Sequence, residues 1–228
     1  MKKYYEAYDD RYRTIHGKGY PWFGSDRTPI VEETAMKYGI GKSTPVLETG
    51  CGEGRDAAYM LDRGYDLTAT DVSAEAVSYC KKKYPEYENR FRTLDCVNGE
   101  DGGRYGYIYS VAVIHMLVPD EDRAKFYRFI KEHLTDNGIA LICSMGDGVT
   151  EKATDINEAF EIREREHASG AVKVAATSFR MVSLPVFEKE IKAGGLVIKE
   201  SGIVDGTSDY FSLMYAVAAK QPDQRLQG

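Results

Sequence analysis

The sequence lacks several features that would direct its interpretation elsewhere. No apolar run approaches the roughly 20 residues of a membrane span, and the amino-terminal residues are polar and charged where a secretion signal has an apolar core. The four cysteines form no CxxC pair and no metal-ligand spacing, so we expect them to be reduced and structural, and we expect no bound metal. These absences predict a cytoplasmic protein without a membrane partner.

Positive charge is also scarce. The chain has 30 Lys and Arg residues against 36 Asp and Glu residues, which gives a formal net charge of −6. Proteins that hold nucleic acids do so with basic faces that neutralise phosphates, so we expect no nucleic-acid partner. With 228 residues, of which 43% are hydrophobic, the chain has the size and composition of one globular domain with appendages.

What the sequence does contain is a glycine-rich turn between a predicted strand and a predicted helix. The run Val46–Thr49 includes one carboxylate, Glu48, and Gly50, Gly52 and Gly54 follow it at a spacing of two. A helical pattern of apolar residues begins directly afterwards. Strand, tight turn and helix bring backbone close to a nucleotide-like ligand, and side chains at the glycine positions would block that approach.

Two kinds of nucleotide site fit this turn, and a tight turn without a ligand is a third interpretation. The dinucleotide fingerprint G-x-G-x-x-G needs a third glycine where this chain has Arg55. Asp71 ends the next predicted strand, 21 positions after Gly50, and a carboxylate there can accept hydrogen bonds from both ribose hydroxyls. Because dinucleotide enzymes use the same acid, Asp71 alone does not decide between them.

The pattern E-x-G-x-G-x-G resembles motif I of the class I S-adenosylmethionine (SAM)-dependent methyltransferases. Residues 110–117 are similar to the S-x-x-V-x-H-x-L segment of the small-molecule enzymes of that class, and the chain lacks the D/N-P-P-F/Y and Pro-Cys motifs of enzymes that methylate nucleic-acid bases. The resemblance implies an α/β fold, with a doubly wound, seven-stranded, mainly parallel sheet, an antiparallel last strand and helices on both faces. It implies SAM as cofactor and S-adenosylhomocysteine (SAH) as product.

Motif positions of the family also imply roles around the cofactor. The glycine loop would hold the methionine moiety, Asp71 the ribose, and Asp95 the adenine amino group, with a turn-capping role as the alternative for Asp95. Arg55 would neutralise the SAM carboxylate or cap the turn. The predicted cofactor-binding residues are Glu48, Gly50, Cys51, Gly52, Arg55, Asp71, Val72, Asp95, Cys96, Ser110 and Val111.

Catalysis and acceptor binding leave weaker traces in the sequence. His115 is the one histidine at a predicted strand exit near the expected methyl group, so it is a candidate base or substrate contact, with a structural role as the alternative. His16 and His167 could reach the site only if their segments fold over it. The predicted substrate-binding residues are Tyr8, Tyr12, Trp22, His115 and Arg180.

The chain divides into three predicted regions. Residues 1–45 form a helical, aromatic-rich segment that either closes over the cofactor as a lid or only packs on the core. Residues 46–220 form the methyltransferase domain, in which the insert 146–182 is expected to cap the substrate, and residues 221–228 form a polar tail. Within the insert, residues 150–167 have the pattern of a solvated helix.

The resulting functional hypothesis is SAM-dependent methyl transfer to a small molecule by in-line displacement, with the accepting S, N or O atom unresolved. One alternative is methylation of a protein or peptide side chain, and another is a non-catalytic module that binds SAM or SAH. Residues 63–73 look like enzymes of the tellurite-resistance and thiopurine type, and this similarity implies a soft nucleophile. The oligomeric state is not predicted.

Overall fold

The computed structural model describes residues 2–22, 24, 26–205 and 212–221. Its eleven described strands, in chain order, are β1 (Val46–Thr49), β2 (Leu67–Asp71), β3 (Phe91–Thr93), β4 (Tyr105–Val111), β5 (Leu134–Met145), β6 (Lys152–Ala153), β7 (Ile162–Arg165), β8 (Val172–Ala175), β9 (Arg180–Met181), β10 (Leu196–Asp205) and β11 (Ser212–Lys220). Its described α-helices are α1 (Ala7–His16), α2 (Pro29–Lys37), α3 (Arg55–Asp62), α4 (Ala74–Lys83), α5 (Asp120–His133) and α6 (Leu184–Ala193). The predicted tail falls almost wholly outside the described residues.

Seven of the strands form one central sheet, in the order β10-β11-β5-β4-β1-β2-β3. Strands β1 to β5 pair in parallel, and β11 runs antiparallel to both β5 and β10. All four residues of β1 are buried, as expected for a central strand covered on both faces. The predicted doubly wound, seven-stranded, mainly parallel sheet with an antiparallel last strand is confirmed.

Helices cover both faces of this sheet and bury two separate cores. Val31 of α2 and Val77 of α4 belong to one core cluster, while Phe126 of α5 and Phe187 of α6 belong to the other. Helix α4 begins directly after Ser73, whose hydroxyl accepts a hydrogen bond from a backbone N–H in the first turn. In the described parts of the chain, every helix is too short or too polar to cross a bilayer.

Two sequence predictions of secondary structure are wrong. Residues 150–167 do not form a helix: they contribute β6 and β7, which pair with β9 and β8 as two small antiparallel ribbons. Strands β7 and β8 form a hairpin across residues 166–171, and every residue of β7 is exposed, so no alternating pattern of buried side chains marks the strand in the sequence. The Asn137-Gly138 pair in the sequence also predicts that helix α5 ends there, but the helix ends at His133 because Leu134 already pairs with Tyr105 as the first residue of β5.

Candidate functional site

A cavity lies at the carboxyl ends of β1, β2 and β4, where open α/β sheets bind their ligands. The glycine loop, Asp71, Asp95 and three tyrosines of the amino-terminal segment all line this cavity. Most of the residues from 48 to 56 therefore line the same cavity as tyrosines from the amino-terminal segment. The sequence predicts the first group as a binding loop and the second as a lid.

The glycine loop has a backbone conformation that side chains would disrupt. Gly50 has φ of 72° and Gly52 has φ of 52°, in the left-handed region that favours glycine. A Cβ atom at Gly50 would overlap Cγ2 of Val113, and one at Gly52 would lie 3.0 Å from the hydroxyl of Tyr12. The loop therefore presents bare backbone to the cavity, with α1 directly above it.

Asp71 is fixed at the end of β2 by the same loop. Its Oδ2 accepts a hydrogen bond from Gly52 N at 2.8 Å, and its Oδ1 accepts one from Ser73 N at 2.8 Å. Burial raises the pKa of Asp71 above its ordinary value, and these backbone N–H groups oppose that rise. A carboxylate at this depth, oriented by backbone on both oxygens, suits the predicted ribose contact.

Glu48 is a second buried acid beside the loop. The residue is only 3% exposed, and the Tyr109 hydroxyl donates to its Oε2 at 3.1 Å. Burial raises the pKa of Glu48 well above its ordinary value, and the nearby Asp56 carboxyl adds to the rise. Arg55 opens α3 and lines the cavity beside this acid, so both predicted residues lie in the site.

Asp95 lies at the cavity but is fully engaged by protein groups. Its Oδ1 accepts from the backbone N–H groups of Val97 (2.9 Å) and Asn98 (3.1 Å). Its Oδ2 accepts from Lys3 Nζ at 2.7 Å and from the Tyr5 hydroxyl at 2.9 Å. Burial acts to raise the pKa of Asp95, but these four hydrogen bonds outweigh it and hold the pKa below its ordinary value. The residue thus combines the predicted capping role with a position suited to an adenine contact.

The remaining predicted cofactor residues divide between cavity wall and interior. Val72, Cys96 and Val111 line the cavity. Ser110 does not, and its Oγ is buried without a hydrogen-bond partner among the described residues. Ala112, which follows Val111, also lines the cavity and has φ of 56°, a conformation that L-residues other than glycine rarely adopt. The chain therefore turns sharply at the exit of β4.

His115 lies outside the cavity lining, although its turn borders the cavity. The imidazole is buried, in a residue 4% exposed, while Met116 and Leu117 of the same segment face the cavity. Burial, with the Arg123 guanidinium beside it, lowers the pKa of His115 to about 3. The side chain is therefore neutral and separated from the lining, so its predicted role as base or substrate contact gains no support from the geometry.

The substrate candidates separate in the same way. Tyr8 and Tyr12 line the cavity together with Tyr5, which helical spacing places on the same face but which is not among the predicted site residues. Trp22 instead lies under the Arg11 guanidinium, 4.7 Å from its ring centroid. Arg180 donates to Val118 O at 2.8 Å and to an Asp120 carboxylate oxygen at 2.5 Å, away from the cavity lining.

Helix α1 and the insert meet beside this cavity. The buried Arg11 guanidinium donates to Ala175 O at 2.9 Å, to Ala176 O at 2.6 Å and to Thr177 Oγ1 at 2.6 Å. These acceptors lie at the end of β8 and directly after it, so one side chain ties α1 to the insert. Such a contact between residues 164 to 166 positions apart has no signal in the local sequence.

The glycine loop, the buried Asp71 and the parallel sheet together have the geometry of a Rossmann-like nucleotide site. Comparison with known proteins indicates which class of nucleotide-binding protein this is. A family profile described as a methyltransferase domain matches residues 46–138. The chain therefore carries a class I, SAM-dependent methyltransferase domain, and SAM is the cofactor of that class. The positive-φ glycines and the buried Asp71 fit such a cofactor.

Individual relatives are also named as methyltransferases, and each matches a different share of the chain. Ribosomal RNA small subunit methyltransferase A from Parabacteroides distasonis is 39% identical over 66 residues, 29% of this chain and 25% of that protein. The probable SAM-dependent methyltransferase TehB from Haemophilus influenzae is 30% identical over 99 residues, 42% of this chain and 34% of that protein. The matched region thus spans only about a quarter to a third of these curated relatives.

Solved structures extend the likeness to nearly the whole fold. The 1,6-didemethyltoxoflavin-N1-methyltransferase of Burkholderia thailandensis, solved with 1,6-didemethyltoxoflavin and SAH bound, superposes with a TM-score of 0.64 at 18% identity. The superposition covers 91% of this chain and 84% of that one. At this identity the likeness establishes the fold, and its extent includes most of the chain outside the matched domain.

Proposed function

We propose that this protein catalyses the SAM-dependent methylation of a small molecule. One observation carries the proposal: the glycine loop, Asp71 and Asp95 share a cavity with Tyr5, Tyr8 and Tyr12 of the amino-terminal segment. The first group suits a nucleoside cofactor, and the second closes the same space from above. A roofed cavity favours a small acceptor over a protein side chain, which would need an open groove.

The residues present divide the work of holding the cofactor. The backbone of Gly50 and Gly52 would approach the methionine moiety, Asp71 would accept the ribose hydroxyls, and Val72 would pack on the adenine. Bound SAM supplies a methyl group already activated by a positively charged sulfur. The tyrosines of the lid would orient the acceptor against it and exclude water, and orientation of this kind can supply about 7–11 kcal/mol of the barrier.

The cavity favours an acceptor that needs no protein base. Among the described lining residues there is no histidine, and His115 is held neutral in the interior. A hydroxyl acceptor would need a base, whereas a neutral amine or a thiolate would not. The lining includes five carboxyl side chains and two cationic ones, which are Glu48, Glu53, Asp56, Asp71, Asp95, Arg55 and Lys83. This acidic balance disfavours an anionic thiolate and favours an amine, whose nitrogen would attack in its neutral form once the ammonium proton has passed to solvent.

Titration calorimetry with SAM, SAH and NAD in parallel tests the cofactor half of the proposal. We expect SAM and SAH to bind at micromolar strength, about −8 kcal/mol, and NAD not to bind. Methyl transfer to a panel of small amines, thiols and phenols, measured as SAH release, then tests the acceptor half. Binding of SAH without turnover of any acceptor would favour the non-catalytic module, and NAD binding alone would overturn the cofactor assignment.

Several narrower expectations accompany this proposal as predictions. Residues 1–45 would act as a lid and residues 146–182 as a substrate cap, with the insert supporting the lid through its contact with Arg11, since no residue of the insert is in the described cavity lining. The acidic charge balance continues to argue against a nucleic-acid substrate, although three matched relatives are named as ribosomal RNA enzymes. The cytoplasmic location likewise stays a prediction.

A further inference from the structure

His16, the last residue of α1, is enclosed by two carboxylates from different parts of the core. Its Nε2 lies 2.8 Å from Glu53 Oε1 in the glycine loop, and its Nδ1 lies 3.0 Å from Glu75 Oε1 in the first turn of α4. The side chains of His16 and Glu53 are 7% and 6% exposed, and that of Glu75 is 27% exposed. We call these three residues the clasp.

The contacts of the clasp specify its protonation state. An ionised carboxylate only accepts hydrogen bonds, and a neutral imidazole has a single N–H. Both ring nitrogens of His16 face carboxylate oxygens, so only the imidazolium can donate to both. Burial lowers the pKa of His16, but the hydrogen bonds with Glu53 and Glu75 outweigh it and raise the pKa above its ordinary value.

Other groups around the imidazole complete this environment. The rings of Tyr12 and Tyr79 stack on it, at centroid distances of 5.5 and 4.1 Å. Lys83 lies over the Tyr79 ring at 5.4 Å. Asp9 of α1 accepts from the backbone N–H of Glu75 at 3.0 Å. The two carboxylates are therefore the charged groups in direct contact with His16, and the cation at Lys83 is one ring further away.

The clasp connects directly to the cavity. Glu53 and Tyr12 both line it, and a Cβ on Gly52 would lie 3.0 Å from the Tyr12 hydroxyl. Glu53 Oε1 also accepts the backbone N–H of Trp22 at 2.6 Å. His16 thus contacts the glycine loop, α4 and the Tyr12 ring at the same time.

We propose that His16 is a positioning residue whose imidazolium pins the lid helix α1 to the glycine loop and to α4, so that lid closure over the cofactor depends on its protonation. At pH values below the pKa of His16, the imidazolium donates hydrogen bonds to both carboxylates. As the pH rises through that raised pKa, one hydrogen bond is lost and one carboxylate faces a bare nitrogen lone pair. The lid is therefore tightest in mildly acidic to neutral solution and loosens in alkaline solution. The consequence for ligand affinity rests on the proposed SAM site, whereas the clasp itself does not.

The single tryptophan gives a direct readout, because its backbone shares an acceptor with the clasp. We expect the fluorescence of Trp22 to show one transition between about pH 6 and 9, with its midpoint above the ordinary range for histidine. Glu75→Gln keeps an oxygen acceptor but removes a charge, and it should move the midpoint to lower pH. His16→Gln should abolish the transition. ¹⁵N NMR of the imidazole should show both nitrogens protonated at about pH 6.

The matched control is His167→Gln, because His167 stacks on the Trp22 ring at a centroid distance of 5.6 Å and could itself report pH. The transition should persist in this variant. A transition that vanishes in His167→Gln but survives in His16→Gln overturns the proposal. So does an NMR titration in which His16 is singly protonated at about pH 6, and this measurement needs no variant to fold.

Ligand affinity separates this proposal from the proposed function. SAH affinity of the wild-type protein should weaken roughly threefold or more between about pH 6.5 and 8.5, since a charge-assisted hydrogen bond is lost, and should stay level in His16→Gln. If SAH fails to bind at any pH while the fluorescence transition and its response to Glu75→Gln remain, the proposed function is wrong and the clasp stands. If SAH binds with equal affinity at both pH values, the link from clasp to cofactor is wrong.

Discussion

The two sides of the cavity are built in different ways. Most of the cofactor side is made by residues 46–71, through backbone hydrogen bonds and positive-φ glycines that belong to one strand–turn–helix–strand unit. The lid side is made by side chains of α1 that contact the core and the insert across long stretches of chain, as Arg11 does with Ala175. One side is thus a local backbone structure, and the other is a set of distant contacts.

The cofactor side belongs to the part of the chain that matches the methyltransferase family, whereas the lid side belongs to the part that does not. The glycine loop, which would hold the methionine moiety, accepts little change because of its positive-φ backbone, and it lies within residues 46–138, which match the methyltransferase profile. The tyrosines of α1, His16 and the insert lie outside that match. We infer that cofactor choice depends on the loop and that acceptor choice depends on the lid. The following substitutions test this division, and the first is expected to change SAH binding most.

Gly50→Ala should abolish measurable SAH binding. The left-handed backbone costs a residue with a Cβ about 1–2 kcal/mol, and the added Cβ would overlap Val113 at the floor of the cavity. Gly64→Ala is the matched control, because Gly64 has φ of 83° but no atom within 4 Å of the place where an added methyl group would lie. Calorimetry and thermal unfolding of both variants should show strain in each but loss of binding only in the first. Retained SAH affinity in Gly50→Ala would contradict the site.

Asp71→Asn should weaken SAH binding about 10- to 100-fold, because hydrogen bonds to a charged group contribute about 1.5–3 kcal/mol each. The amide keeps the shape of the side chain but can accept at only one end, so it disturbs either the Gly52 or the ribose contact. Asp62→Asn, at the end of α3 where Tyr87 donates to the exposed carboxylate, serves as control and should bind SAH normally. Equal affinities for the two variants would remove Asp71 from the site.

The cofactor side could be predicted from sequence because its determinants are close together along the chain. The spacing of Gly50 and Gly52 and the position of Asp71 encode a backbone shape, and all three residues line one cavity. The prediction for His115 gains no support from the cavity lining, because a motif position does not specify which side of a turn a ring occupies. Met116 and Leu117, its neighbours in sequence, face the cavity in its place.

The lid side could be predicted only in part, for a different physical reason. Helical spacing places Tyr5, Tyr8 and Tyr12 on one face, but nothing in it indicates that Glu53 meets His16. The ribbon of β7 and β8 is hidden in the sequence because every residue of β7 is exposed, so the strand has no buried face to produce an alternating pattern. Contacts between distant segments are energetic properties of the folded chain and leave no periodic pattern.

Tyr8→Phe should affect the acceptor and leave the cofactor unchanged. Tyr8 lines the cavity from α1 and is 9% exposed, so loss of its hydroxyl removes about 0.5–1.5 kcal/mol of hydrogen bonding. We expect kcat/KM for the acceptor to fall about 2- to 12-fold, with SAH affinity unchanged by calorimetry. Tyr20→Phe, at a tyrosine that is 48% exposed, is the control. A matching loss of SAH affinity in Tyr8→Phe would break the proposed division between the two sides.

Lys3→Met should produce the smallest effect, and in the opposite direction. Lys3 Nζ donates a hydrogen bond to Asp95 Oδ2, to which the adenine amino group would also donate. The lysine side chain is 40% exposed, so the ion pair contributes at most about 1 kcal/mol. Because the pKa of Asp95 is held low, the pair is intact at neutral pH and is lost only as the pH falls through that lowered pKa.

At neutral pH we therefore expect SAM to bind Lys3→Met about two- to threefold more tightly than the wild-type protein, since one of the two donors to Asp95 Oδ2 is removed while the Tyr5 hydroxyl remains. Lys2→Met, which removes a neighbouring lysine that pairs with Asp10 instead, should bind SAM as before. Weaker binding in Lys3→Met alone would mean that the amino-terminal segment supports the cofactor rather than competing with it. The lid would then contribute to both sides of the cavity, and Asp95 would act chiefly as the residue that anchors it.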